Sequence, residues 1–247
     1  MTVKRKLIGS GAVSKIYLED GFAYKTFKAD YPLDWLKYEA QLQNEIAENT
    51  QLLVPKTTVI EATKEIKMDY IAGCTLTERM RKEKYKMALA DLVDLQLSIQ
   101  EYHDLNLPQA HQVFAQRLKE SKLDENLKAN AQAILQQIEV KNNLCHFDFH
   151  FLNILYSEGQ YYIIDWVDSK LGNPILDIAR TYVIFKQHAQ RLANKYLKLI
   201  VAKGNFEMAE VQAAIPLMAT LRLLEGDAAE FKEQLLEMIA FFSEGES

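Results

Sequence analysis

Residues 144–166 read LCHFDFHFLNILYSEGQYYIIDW. Within them His146, Asp148 and Asn153 stand as His-x-Asp-x-x-x-x-Asn, a spacing that a chain of this composition produces by chance about 0.01 times. Phe147, Phe149 and Phe151 alternate with polar residues, the pattern of a half-buried strand. That pattern accounts for the phenylalanines and leaves the polar face unexplained. Phosphoryl transfer explains it, because the reaction needs a carboxylate to position an acceptor hydroxyl and take its proton. It also needs an amide oxygen and a second carboxylate to hold Mg²⁺ against nucleotide phosphates. Asp148 and Asn153 supply the first two groups, and Asp165, closing the apolar run 161–164, supplies the third. An aspartate ending a buried strand is otherwise a common turn former. A rival reading takes His146, Asp148 and His150 as metal ligands on one strand face. Alternate strand residues lie roughly 6.5 Å apart, awkward around one zinc, and no further His or Cys cluster completes the site.

Outward from this stretch the chain changes character in both directions. The strands expected at 154–156 and 161–164 flank a Glu158-Gly159 turn. Upstream, short strand-like runs at 15–18, 22–28, 57–60 and 66–71 sit between turn signals, and Asp20-Gly21 is the clearest hairpin turn. One helix interrupts them: Pro32 and Asp34 are start signals before Trp35, Tyr38, Leu42 and Ile46, which recur at three- and four-residue spacing. After Gly73 the periodicity turns helical, with Leu92, Leu95, Ile99 and Tyr102 on one stripe and another helix over 127–138. From Leu176 onward almost all is helix, and Pro216 should begin a helix or kink one. The layout is α+β, a small sheet lobe with one helix followed by a larger helical lobe with a strand insert.

Upstream residues add a possible nucleotide side. Gly9-Ser10-Gly11-Ala12-Val13-Ser14 is a Gly-rich segment that runs into a hairpin rather than a helix, which excludes the dinucleotide fold and resembles the loop that covers phosphates with backbone amides in kinases. Taken alone, it reads better as an ordinary glycine-containing β-turn. Lys25 sits in a strand with apolar neighbours on both faces and is costly to bury unpaired. Glu39 is its natural partner, because Trp35, Glu39, Leu42 and Ile46 share helical spacings, whereas Glu45 lies off that stripe.

Composition narrows the function further. The 247 residues fit one two-lobed domain or two small ones, and 49% hydrophobic residues suffice for a core. Twenty-nine Lys and Arg against 34 Asp and Glu give a net charge of -5, so nucleic acid is not an expected partner. Cys74 and Cys145 are far apart and outside any CxxC spacing, which reads as two reduced thiols. No apolar run approaches the roughly 18 residues of a membrane span, and residues 7–18 are too interrupted for a signal peptide. A cytoplasmic protein with no membrane partner is expected.

With Lys25, Glu39, Asp148, Asn153 and Asp165 in this order, the sequence resembles the aminoglycoside phosphotransferase and choline kinase-like family, distant relatives of protein kinases. The likeness is most specific in residues 144–166 and in GNPILDIAR, residues 172–180, which look like the family's HGDxHxxN, IDW and GDPxxDxA blocks. MDYIAGCTL, residues 68–76, is similar to the segment joining the family's lobes. The resemblance implies a two-lobed protein kinase-like fold: residues 1–72 as an antiparallel sheet lobe binding nucleotide, and residues 73–247 as a helical lobe with the catalytic loop and acceptor site. It implies ATP and Mg²⁺ as cofactors, with Asp148 as catalytic base and Asn153 and Asp165 as metal ligands. Gly9, Ser10, Gly11, Ser14, Lys25, Glu39, Met68 and Tyr70 would contact nucleotide, and His146 and Asp177 would support the loop. Phe147 stands where Gly is usual, Phe151 and Leu152 where Pro and Gly are common, and Asn173 where Asp is frequent.

A protein kinase is the nearest alternative, but 165–172 leaves no room for an activation segment and no APE-like triplet follows. A catalytically silent nucleotide-binding protein is the other, and the intact Lys25, Asp148, Asn153 and Asp165 count against it. A small-molecule acceptor with a hydroxyl is expected, a cationic amine being favoured if Asp168, Glu225, Asp227 or Glu230 faces it. Phe147 and Phe151 either narrow the acceptor pocket, favouring a compact amine, or point into the core.

Overall fold

The computed structural model describes residues 5–11 and 13–243, so that Ala12 of the Gly-rich segment lies outside the described residues, as do 1–4 and 244–247. In chain order the first elements are β1 (Lys6–Ser10), β2 (Ser14–Glu19), β3 (Phe22–Phe27), α1 (Leu33–Asn49), β4 (Thr57–Ile60), β5 (Glu65–Asp69), β6 (Cys74–Thr75) and α2 (Leu76–Glu83). Helices α3 (Ala88–Gln100), α4 (Ala110–Glu120) and α5 (Glu125–Gln137) follow, then β7 (Asn143–Cys145), β8 (Ile154–Ser157), β9 (Gln160–Ile163) and β10 (Lys170–Gly172). The chain closes with α6 (Pro174–His188), α7 (Gln190–Gly204), α8 (Met208–Arg222), a 3₁₀ turn (Ala228–Phe231) and α9 (Lys232–Ser243). These elements form two compact units, residues 1–85 with 151–167, and residues 86–150 with 168–247.

The first unit is an antiparallel sheet in the order β1-β2-β3-β5-β4. Asp20 and Gly21 both take positive φ, 49° and 79°, the twist a two-residue hairpin needs, so β2 folds directly onto β3 with Lys25 opposite Ile16. Pro32 precedes the first turn of α1, and Asp34 sits in it. The helix buries Leu36 and Ala40 against Phe27 and Ile66, joined by Tyr31, Val59 and Met68. Burying a side chain of this size stabilises by about 1.5–3 kcal/mol. Of the expected stripe, Glu39, Leu42 and Ile46 are buried, whereas Trp35 is 59% exposed and Tyr38 is exposed, with Leu36 at 1% taking the first buried place: spacing defines a face, and packing at the start of the helix decides which residues of its edge meet the sheet. A second sheet in the same unit, β6-β8-β9, is closed by the Glu158-Gly159 turn. At Gly73 a Cβ atom would lie 2.2 Å from the Tyr156 carbonyl oxygen, so only glycine admits this approach.

The second unit packs helices around α6, in which Leu176, Asp177, Ile178, Ala179, Thr181 and Val183 are buried. β7 and β10 pair antiparallel beside it, with Leu171 opposite Leu144. Pro216 lies inside α8 rather than at its start, and its carbonyl accepts the Thr220 hydroxyl proton at 2.8 Å. α3 stops at Gln100, leaving Tyr102 beyond the helix, where its carbonyl accepts the Leu144 N–H at 2.7 Å. Among the described residues no helix is long and apolar enough to cross a membrane.

Candidate active site

In the first unit Lys25, Glu39 and Asp165 converge. Lys25 Nζ donates to Glu39 Oε1 at 2.5 Å and to Asp165 Oδ1 at 3.4 Å, and its side chain is 13% exposed. Glu39 reaches it because Leu36, Glu39, Ala40 and Gln43 share the buried face of α1. Lys25 thus pairs with Glu39, the carboxylate that the helical spacing ranked first. Burial pulls the Lys25 pKa down, but Asp165 and Glu39 outweigh it and leave the ammonium above its ordinary range.

Asp165 follows β9 with φ 65°, a left-handed conformation that aspartate enters more readily than most residues. The Ile164 N–H donates to the Asn153 carbonyl at 3.0 Å, so the start of β8 and the end of β9 bring Asn153 alongside Asp165. A carboxylate and an amide oxygen are hard donors suited to Mg²⁺, and their position beside a cation held by two carboxylates fits a metal–phosphate group. Among the described residues no three His, Cys, Asp or Glu side chains form a metal-binding group. Gly9, Ser10 and Ser14 lie on the β1–β2 hairpin, closed by a bond from the Gly11 N–H to the Ser14 carbonyl at 2.9 Å. The hairpin expectation is met, and no helix follows the glycines. Met68, on β5, packs on the Phe27 core, and Tyr70 is exposed just beyond the strand. Tyr31, stacked on Phe27 at 4.5 Å, adds an aromatic neighbour that the sequence pattern did not signal.

In the second unit Asp148 lies on a loop after β7, not on the half-buried strand that the phenylalanine alternation suggested. The alternation breaks at Phe147, whose φ of 60° turns the chain. This is the position where the resembling family has glycine, and packing holds the larger residue there: the ring meets Phe114 edge-on at 5.1 Å. Both peptide groups of Phe147 are gripped. Its N–H donates to Asp177 Oδ1 at 2.7 Å, and its carbonyl accepts from Arg180 Nε at 3.1 Å. Asp177, fully buried, also accepts from Gln96 and Gln100 at 2.9 and 3.1 Å, so it anchors the loop as the resemblance implied. The Asp148 side chain remains 30% exposed, with His150 Nε2 3.6 Å from its carboxylate, and its N–H donates to His146 Nδ1 at 3.2 Å.

The expected acceptor carboxylates are placed differently. Glu225 pairs with Arg180 and Arg222, both at 2.9 Å, and Arg222 also holds Asp227 at 2.5 and 2.7 Å. Hydrogen bonding to Arg222 keeps the Asp227 carboxyl below its usual range. These two carboxylates are spent on arginines. Asp168, 53% exposed and 3.8 Å from Lys170, lies beside the loop-anchoring residues, and Glu230 is exposed in the 3₁₀ turn. Sequence reasoning missed Arg117, Lys170, Arg180 and Arg222. The one signal for Arg180 was its position a helical turn after Asp177 on a segment apolar all round.

This five-stranded sheet unit and this helical unit define a protein kinase-like phosphotransferase fold. A profile of the phosphotransferase enzyme family matches residues 68–212, more than half of the chain, and the chain belongs to that family. A choline/ethanolamine kinase family protein from Mesorhizobium loti superposes with a TM-score of 0.66 at 14% identity, over 98% of this chain and 88% of that one. The choline kinase LicA from Streptococcus pneumoniae gives 0.62 at 15% identity, over 98% and 92%. A thermostable mutant of the aminoglycoside phosphotransferase APH(4)-Ia, in ternary complex with ADP and hygromycin B, gives 0.67 at 12% identity, over 99% and 95%. No curated protein sequence matches this one.

Proposed function

We propose that this phosphotransferase moves the γ-phosphate of ATP, with Mg²⁺, to a hydroxyl of a small molecule. The observation that carries the reading is the part-buried Lys25 held cationic between Glu39 and Asp165. Lys25 binds the nucleotide phosphates, and Glu39 fixes its ammonium so that it need not be ordered when ATP arrives. Backbone N–H groups of Gly9, Ser10, Gly11 and Ser14 cover the phosphates, and Met68 and Tyr70 contact the rest of the nucleotide. Asn153 and Asp165 hold the metal, which neutralises charge on the phosphates. Asp148 orients the acceptor hydroxyl and receives its proton as the oxygen attacks the γ-phosphorus and ADP leaves. Asp168 favours an acceptor with an amine, as the choline and aminoglycoside enzymes of similar fold suggest. The reaction belongs where ATP and reduced thiols coexist, in the cytoplasm. Calorimetry with Mg²⁺-ATP, followed by ATP consumption with choline, ethanolamine, aminoglycosides and sugars, tests the proposal. Tight ATP binding that Lys25→Ala abolishes is expected. A protein that binds no ATP overturns it.

A further inference from the structure

Beside the catalytic loop, wholly within the second unit, a small cavity is walled by Arg117, Phe147, Asp168, Lys170, Arg180 and Glu225. Its charges pair off unevenly. Arg180 faces Glu225 at 2.9 Å. Lys170 Nζ donates to the Asp168 carbonyl at 2.5 Å and lies 3.8 Å from its carboxylate. Arg117 is left over: among the described residues it makes no ion pair, although it stands close enough to Lys170 for the two cations to repel. Arg117, half-buried in the wall of this cavity, thus has no counter-charge from the described residues. The cavity is small, about 20 Å³, the space of one small polar group.

We propose that Arg117 selects the acceptor by pairing with a carboxylate on it, so that the substrate is a hydroxy acid, and with Asp168 available to an amine, a hydroxy amino acid. This rests on the phosphotransferase reading and narrows its substrate class. The planar guanidinium suits a carboxylate with two parallel hydrogen bonds, and a site built around such a pair rejects an analogue lacking the charged group. The amine expected from the sequence then meets Asp168, and the uncompensated cation meets the acid.

Matched alcohols with and without a carboxylate test this: serine against ethanolamine, glycerate against glycerol, with glycerol 3-phosphate as the larger anion, each with ATP and Mg²⁺. The carboxylate-bearing member should show kcat/KM at least tenfold above its partner. Arg117→Gln should raise its KM at least tenfold with little change in kcat, and Arg117→Lys should recover part of the loss. Turnover of ethanolamine or glycerol equal to that of the acids, preference for the phosphate ester, or a KM indifferent to Arg117→Gln would overturn the inference. A second readout needs no turnover: titrated serine and glycerate should raise the melting temperature of the wild type and not of Arg117→Gln, and equal shifts in both proteins also overturn it. Loss of the phosphotransferase reading looks different, since a protein that binds no ATP yet keeps the Arg117-dependent shift retains the carboxylate site.

Discussion

Lys25 and Lys170 are equally hidden, 13% and 9% exposed, one in each unit, yet their surroundings push them in opposite directions. Around Lys25, burial is outweighed by Asp165 and Glu39, and the ammonium is kept charged. Around Lys170, burial is reinforced by Arg117 and Arg180 and only partly offset by Asp168 and Glu225, so its pKa falls below the ordinary range. The difference shows two uses of a buried cation. In the sheet unit the charge is compensated in advance and held still, as the proposed phosphate contact requires. In the helical unit cations outnumber the carboxylates left to them, and the surplus is answered by something the chain does not contain.

The comparison breaks most sharply at Asp148, which lies outside both lysine clusters. Asp148→Ala should lower turnover by about 10²–10⁴-fold while leaving ATP affinity unchanged, measured by coupled assay and calorimetry. A parallel loss of ATP affinity would mean that Asp148 serves the nucleotide and not the acceptor.

Next in size is Glu39→Gln, which leaves the Lys25 ammonium short of one carboxylate and should cost about 3 kcal/mol in urea denaturation, together with most productive ATP use. Glu45→Gln should change neither by a comparable amount. In the helical unit Asp177→Asn replaces the buried acceptor of three N–H donors and should cost about 2 kcal/mol, with a rise in loop hydrogen exchange at Phe147.

The smallest effect sharpens the contrast between the lysines through pH. For Lys25 the folded pKa lies above the unfolded one, so its stabilisation is complete below the ordinary lysine value of 10.5 and is lost only at more alkaline pH. For Lys170 the folded pKa is lowered, so the unfolded chain binds more protons and stability rises as pH climbs toward 10.5. Lys170→Met should therefore stabilise the protein by about 1 kcal/mol at neutral pH, with the advantage shrinking as pH rises. Denaturation midpoints from pH 7 to 10 read this directly. An advantage that grows with pH would reverse the assignment.

Much of the sheet unit was legible because its signals are local. Asp20-Gly21 specifies a tight turn, Pro32 and Asp34 start α1, and the alternation in β3 and the helical spacing of Glu39 bring that carboxylate to Lys25. Only the start of that stripe was misplaced: Leu36 and not Trp35 is buried, since periodicity relates residues to one another and not to the sheet they will cover, while Glu39, Leu42 and Ile46 are buried as expected. The loop that carries Asp148 misled in a similar way. Phe147, Phe149 and Phe151 are all buried, but in a loop where φ of 60° at Phe147 lets successive side chains leave the strict alternation of a strand.

The residue types and their order were enough to specify the two-lobed class, the hairpins, most helices and the set of groups suited to phosphoryl transfer. These follow from backbone sterics, periodicity and spacing within a few residues. Which charges meet was decided only by the folded chain. Lys25 finds Asp165 140 positions away, Arg180 finds Glu225 45 positions away, and Asp177 takes the Phe147 N–H from 30 positions away. Compensation depends on atoms a few ångströms apart in a low-dielectric setting. No local pattern encodes it, and so Glu225 and Asp227 read as free acidic residues in the sequence and are bound to arginines in the fold.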